Sequence, residues 1–152
     1  MSSEKLTWTA ILQYDGKPPE NKALPRASSV QRRYGGYLGA LKKQGTTIDQ
    51  DIMNRIIENH QNQQIIVTKN DFPYDVDDGI LHLVAWINPL MYTTNSNVEL
   101  ESYARNYVSS LISKDAEFIL FENLPNNKSV HNIHHYQLFV RGDVGLLPIE
   151  KL

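Results

Sequence analysis

The chain has no cysteine among its 152 residues. That absence removes disulfides, thiolate nucleophiles and cysteine-based zinc sites together, and the fold needs no oxidising compartment. Also missing is any run approaching 18 apolar residues. The opening MSSEKLTWTAILQYDGK lacks the basic end, apolar stretch and small-residue cleavage pattern of a secretory leader. Cytoplasm is the expected compartment, with the nucleus as the other choice, and no membrane contact is expected. Positive charge is not in excess: 15 Lys+Arg stand against 17 Asp+Glu, a net charge of −2. No overall field therefore attracts a phosphate backbone, and non-specific nucleic-acid binding is not expected. GxGxxG, the Walker loop and GxSxG are all absent, so the sequence carries no dinucleotide, P-loop or nucleophile-elbow signature.

What is present describes an ordinary folded chain. Hydrophobic residues are 41% of the total and charged residues 21%, well away from the composition of disordered segments. A chain of this length fits one domain with one core, and no internal repeat or linker divides it.

Residues 6–14, LTWTAILQY, satisfy both a strand alternation and a helical face, and helix is the preferred reading. DGKPPENKALPR is a loop, because its prolines cannot sit inside a helix. A helix is expected from Ser28 or Ser29 as N-cap, with Val30, Tyr34, Tyr37, Leu38 and Leu41 on one side and Gly45 beyond its end. Gly35, Gly36 and Gly39 weaken it, and close approach by a backbone or ligand is the expected compensation. A second helix starts at the Thr47-x-x-Gln50 capping box and runs to about His60. QQIIVT (63–68) reads as a strand, KNDFPYDVDDG as a turn-rich excursion, and ILHLVAWI (80–87) as the clearest strand, with His82 and Trp86 on one face. The Ser96-x-x-Glu99 box opens a helix whose stripe Leu100, Tyr103, Ala104, Tyr107, Val108, Leu111 and Ile112 suits core packing. EFILFENL and IHHYQLFV supply two more strands, and the tail DVGLLPIEKL is apolar enough to pack back on the body. The expected architecture is α+β: a mainly antiparallel sheet of about four to five strands with three to four helices packed on it.

Three of the five histidines crowd into HNIHH, residues 131–135. On a strand His131 and His135 share a face and His134 points away, which breaks a metal triad; no metal and no cofactor is implied. His135 and His82 remain able to meet beside Trp86, together with an acid of the 75–78 loop, although a hydrogen-bonded histidine at a sheet face is the commoner role. Asp77 with Asp78, and Glu99 with Glu101, fit a solvated turn and a helix N-terminus respectively. Arg26, Arg32, Arg33, Lys42 and Lys43 form the one basic concentration; if both lie near the start of the helix, Arg26 and Arg33 are spaced to share a face and hold phosphate, although a solvated helix face is the commoner role. Trp8 and Trp86 offer two flat rings for a base, although core packing is the usual role of tryptophan.

LPRASSVQRRYGGYLGALKKQG, NDFPYDVDDGILHLVAWINP and FILFENLPNNKSVHNIHHYQLFVRG, in that order, resemble the fungal N-acetylglucosamine-induced protein family over about residues 24–142. The resemblance implies a domain of unassigned biochemical activity and directs attention to Arg26, Tyr34, Asn70, Asp71, Pro73 and Tyr74, then to His82, Trp86, Lys128, Ser129 and His135. The chain departs from that pattern at Phe72, Asn88 and Gln137, the last standing where a second histidine is usual. Glutamine hydrogen-bonds but does not shuttle protons near neutral pH. A looser likeness links Ser129-Val130 and the following histidines to the histidine-triad nucleotide hydrolases, with the spacing off by one and His135 as the sole candidate nucleophile.

Three functions follow as expectations. The first is a binding domain for a phosphate-bearing metabolite, such as a nucleotide or sugar nucleotide, with Arg26, Tyr34, His82, Trp86, Lys128 and Gln137 as ligand-binding residues. The second is a nucleotidyl or phosphoryl hydrolase with His135 as its catalytic residue. The third is a protein-interaction module in which the FPYDVDDG loop presents Phe72 and Tyr74 to a protein partner.

Overall fold

The β-branched and apolar runs form the sheet. β1 (Ile65–Lys69), β2 (Ile80–Ile87), β3 (Glu117–Phe121) and β4 (His135–Arg141) pair antiparallel throughout, in the order β1-β2-β4-β3. The computed structural model describes residues 5–20, 24–91, 97–124, 128, 130 and 132–142. Ser96, Ser129, His131 and the tail from Asp143 lie outside them. The α+β expectation holds, with four α-helices and a four-stranded antiparallel sheet among the described residues.

Strand alternation sends successive side chains to opposite faces, and register joins the strands into two surfaces. One surface carries Ile65, Val67, Leu83, Ala85, Leu138 and Val140, and α4 (Asn97–Leu111) covers it with Leu100, Ala104 and Val108. The expected apolar stripe of this helix is thus the core of that layer. The opposite surface is covered in two parts. At one end α3 (Ile48–Ile52) and the turns that prolong it set Ile52, Ile56 and Ile57 against Ile66, Val84 and Trp86. At the other end α1 (Trp8–Leu12) sets Trp8 and Ile11 against Ile119, Phe121 and Phe139, with Tyr74 of the 70–79 excursion among them. The two tryptophans therefore belong to separate clusters and form no sandwich.

Local chemistry explains most boundaries. Thr47 Oγ1 accepts the Gln50 N–H at 3.1 Å, the cap that starts α3. The helix then widens into a π turn over Met53–Ile57 and ends in a 3₁₀ turn at Glu58–His60, the kind of irregularity that re-aims a side chain, here Arg55. The ambiguity of residues 6–14 has a physical resolution: Leu6 bridges to Val76 in strand fashion, and helix begins two residues later under the Thr7 cap. Strand β4 begins at His135, so Ile133 and His134 precede it.

Two expectations about α2 (Ser28–Lys43) fail. Neither serine caps it; Ala27 occupies the N-cap and gives no side-chain hydrogen bond. Nothing approaches its glycines: a Cβ built at Gly35, Gly36 or Gly39 meets no heavy atom within 4 Å. These positions face open space, so their flexibility is uncompensated by packing. Alanine at any one of them is predicted to stabilise the fold by up to about 1 kcal/mol. The urea midpoint should rise without a change in slope; an unchanged or lower midpoint would show that the bare helix face has a contact of its own.

Candidate functional site

Where the two apolar clusters of the second sheet face meet, the buried residues turn polar. Thr68, His82, His135 and Gln137 are all buried there, and buried polar groups need partners. Register sets their neighbours: Trp86 lies opposite His135, Val84 opposite Gln137 and His82 opposite Phe139. Above this patch, between the sheet, α2, α3 and the 70–74 segment, is a cavity of about 90 Å³.

Sheet residues Val84, Trp86, His135 and Gln137 line the cavity. Aromatic rings of Tyr34, Tyr37, Phe72 and Tyr74 form another part of the wall. Their packing is mutual, with the Phe72 centroid 5.1 Å from that of Tyr34 and 5.2 Å from that of Tyr37. Three cations reach the wall, Arg26, Arg55 and Lys128, with Asp71, Asn70 and Asn123 as further polar members. The expected ligand-binding residues Arg26, Tyr34, Trp86, Lys128 and Gln137 are therefore gathered in one place, along with His135.

The cations differ in how far they are already neutralised. Arg55 is held by Asp51 through Nε at 2.9 Å and a terminal nitrogen at 2.7 Å, and Tyr37 also donates its hydroxyl to Asp51. Burial alone would raise Asp51, but the Arg55 and Tyr37 bonds outweigh it and hold the carboxyl below its ordinary value. Burial and the Asp51 bond push Tyr37 up to about 12. Lys128 lies 3.4 Å from Glu122, whose other oxygen meets His134. Burial opposes the charge on Glu122, and His134 and Lys128 override it, leaving its carboxyl below the ordinary value. Arg26 is different. Its Nε donates to the Phe72 carbonyl at 2.7 Å and its guanidinium lies over Tyr34 and Tyr74 at 4.8 and 5.1 Å from their centroids, with no carboxylate paired to it among the described residues. Asp71 is the acid in the wall, 3.9 Å from Arg55; burial raises its carboxyl above the ordinary value, opposed by Arg55 and Arg33. The 75–78 acids expected to join the histidines do not line the cavity. Arg33 stacks on Phe72 at 5.3 Å and is likewise absent from the wall, so it shares no anion site with Arg26.

His82 requires a correction. It is 4% exposed and lies outside the cavity wall, stacked between Tyr74 and Phe139 at centroid distances of 4.7 and 4.4 Å. Its Nδ1 accepts the Tyr74 N–H at 3.0 Å and its Nε2 bonds Gln137 Oε1 at 2.6 Å. His82 therefore reaches the cavity indirectly, through Gln137, Asn70 and Tyr74 of its wall. Tyr74 requires another: at 4% exposure, with its hydroxyl accepting from Asn123 Nδ2 at 3.0 Å, it is not presented to a protein partner. Phe72 is half-buried among the tyrosines. His135 bonds the Ile133 carbonyl through Nδ1 at 2.9 Å and is pushed below the ordinary histidine value, chiefly by burial. His134 faces Glu122 instead. The sequence does not point to Arg55 or Asn123, and it names Tyr37 only as part of the apolar side of α2. Arg55 had one signal, a charged residue between the inward Ile52 and Ile56.

Burial holds His82 neutral, with its folded pKa down to about 3 against 6.5 for an ordinary histidine. Unfolding then takes up a proton below about pH 6.5. Stability is complete above that pH and falls toward pH 3, by up to about 1.4 kcal/mol per pH unit for this group. Urea midpoints measured from neutral pH down to about pH 5, above the usual carboxylate window, should decline in the wild type and decline less in His82→Gln. Equal profiles would contradict a neutral buried imidazole at this position.

Comparison with known proteins adds the family. No curated protein matches the chain significantly. The crystal structure of HTC1 is similar in fold, with a TM-score of 0.52 over 78% of this chain and 76% of that one, at 17% identity. Among the described residues no helix is long and apolar enough to cross a membrane. The DUF3605 family, described as a protein of unknown function, matches residues 7–141, a span that takes in every strand and helix above and the whole cavity wall; the chain belongs to this family.

Proposed function

We propose that this domain binds a phosphate-bearing metabolite, a nucleotide or sugar nucleotide among the candidates, with the phosphate end in the cavity over Val84, Trp86 and Gln137. The observation that carries this reading is Arg26, a guanidinium in a partly apolar wall whose charge no described carboxylate answers. An anion there exchanges bulk water for charge-assisted bonds worth about 1.5–3 kcal/mol each. Lys128 adds a second, partly compensated charge. The size of the cavity limits what enters: about 90 Å³ takes a phosphate and a small group, so a base would rest in the mouth against Tyr34 and Phe72. The resemblance to the fungal N-acetylglucosamine-induced proteins, carried by the motifs that supply Arg26, Tyr74 and Trp86, supports a link to amino-sugar metabolites.

A second reading rests on His135. The Ile133 carbonyl can only accept, so Nδ1 of His135 carries the proton and Nε2 keeps its lone pair. A lone pair at the wall of an anion site suits attack on phosphorus: Nε2 bonds to phosphorus, the leaving group departs with the electron pair, and water later hydrolyses the phosphoramidate. Mass spectrometry of nucleotides incubated with wild type and His135→Ala separates the two readings. Turnover lost in the variant supports hydrolysis; equal inactivity leaves binding alone. The protein-interaction reading loses Tyr74, and with it the pair of exposed aromatics on which it stood.

Trp86 lies in the wall, so its fluorescence reports occupancy. Titration with nucleotides and sugar phosphates should give a saturable change, and Arg26→Met should weaken the best of them about tenfold to a hundredfold. No saturable change for any compound would remove the proposal.

A further inference from the structure

Two of the cavity's hydrogen-bonding groups have their polarity fixed by the backbone. The Tyr74 N–H cannot reverse, so His82 Nδ1 must accept and the imidazole proton must sit on Nε2. That proton points at Gln137, whose side-chain oxygen lies 2.6 Å away. Asn70 reinforces the choice. Its Oδ1 accepts the Phe72 N–H at 2.9 Å, which leaves its amide nitrogen facing the same Gln137 oxygen at 3.5 Å. Rotating the Gln137 carboxamide would set its NH₂ against two donors, so the NH₂ stays free for the cavity. Two residues earlier on β4, on the same face and about 6.6 Å along the strand, the situation is reversed. The Ile133 carbonyl binds the Nδ1 proton of His135 and leaves Nε2 as an acceptor without a partner among the described residues. Asn123, also in the wall, has its Oδ1 buried without a partner among the described residues.

We infer that β4 presents a fixed donor at Gln137 beside a fixed acceptor at His135, that the cavity takes a hydroxyl-bearing phosphate monoester of sugar or polyol type, and that His82 is the positioning residue behind Gln137. This rests on the phosphate reading above and narrows it. Arg26 and the Gln137 NH₂ require oxygen acceptors, which a phosphoryl group supplies. His135 Nε2 requires a donor, which a hydroxyl supplies. Inorganic phosphate alone answers Arg26 and Gln137 but offers His135 only its own P–OH, and an unphosphorylated sugar offers hydroxyls without the anion. The indole of Trp86 and the aromatic wall give the carbon face of such a ligand an apolar surface.

Long-range ¹⁵N–¹H spectra of the free protein near neutral pH read the two rings directly: His82 should be protonated on Nε2 and His135 on Nδ1. Matching tautomers, or a charged ring, would overturn the polarity assignment without any ligand. Calorimetry with glucose 6-phosphate, inorganic phosphate and glucose tests the ligand class; the ester should bind at least about tenfold tighter than either part. His82→Phe keeps a ring in the stack but donates nothing, and Gln137→Met removes the amide, so each should weaken the ester about tenfold. His82→Gln restores a donor and should stay within about threefold of wild type despite its lost stability. Binding that needs Arg26 yet ignores His82 and Gln137 would overturn this inference and leave the phosphate reading standing. No binding of any phosphate compound by the wild type would remove that reading and the ligand class with it, and the tautomers would still decide the polarity.

Discussion

The pairing register of β2 and β4 is the constraint on which the rest of the structure depends. Ile87 donates its N–H to the carbonyl of His134, directly opposite, at 2.9 Å. Antiparallel pairs alternate between hydrogen-bonded and narrow non-hydrogen-bonded positions. Trp86 with His135, Val84 with Gln137 and His82 with Phe139 are consequently narrow pairs, with Cα atoms near 4.5 Å apart and side chains in direct reach of one another. A slip of one residue would turn His135 and Gln137 toward α4 and bring Tyr136 and Leu138 to the cavity side. The buried faces forbid it: Leu138 and Val140 belong to the apolar layer under α4, and Phe139 to the cluster with Trp8 and Ile11.

Given that register, the polar patch is costly unless each group is matched. A buried donor or acceptor without a partner costs about 1–3 kcal/mol. Most groups are matched by neutral partners, carboxamides and imidazoles tied to backbone N–H and carbonyl groups, and those left open, His135 Nε2 and the Gln137 NH₂, belong to the cavity wall. Trp86 Nε1 donates to Thr68 Oγ1 at 2.9 Å in the same manner. Ion pairs are kept to the rim, where Arg55 with Asp51 and Lys128 with Glu122 are partly exposed. The interior thus acquires direction without burying net charge, and such matched networks are stiff. A stiff, directional surface is what a preorganised binding site needs, because little ordering remains to be done when a ligand arrives.

Much of this was readable from local periodicity. ILHLVAWI alternates cleanly and is β2 to the residue; the α4 stripe and the Thr47 cap are equally local. Placing His82, Trp86 and His135 on one face needed only the alternation rule and antiparallel pairing. Depth was not readable. Alternation says which way His82 points, but the covering by Tyr74 comes from a segment whose acids suggested full exposure. In that segment Asp78 is exposed and Asp75 and Asp77 are half-buried, while Tyr74 anchors inward. Arg55 and Asn123 escaped because they reach the cavity through the π turn after α3 and the chain beyond β3, neither of which has a sequence period. The glycines of α2 misled for the opposite reason: glycine marks where a side chain is dispensable, not which neighbour makes it so.

The most direct test of this account is the set of Hα–Hα contacts between β2 and β4 in solution. Nuclear Overhauser spectra should show strong Hα–Hα cross peaks for Val84 with Gln137 and for Trp86 with His135, the narrow pairs of the stated register. Cross peaks linking Val84 instead to Tyr136 or Leu138 would put the histidine and glutamine on the far side of the sheet and contradict it.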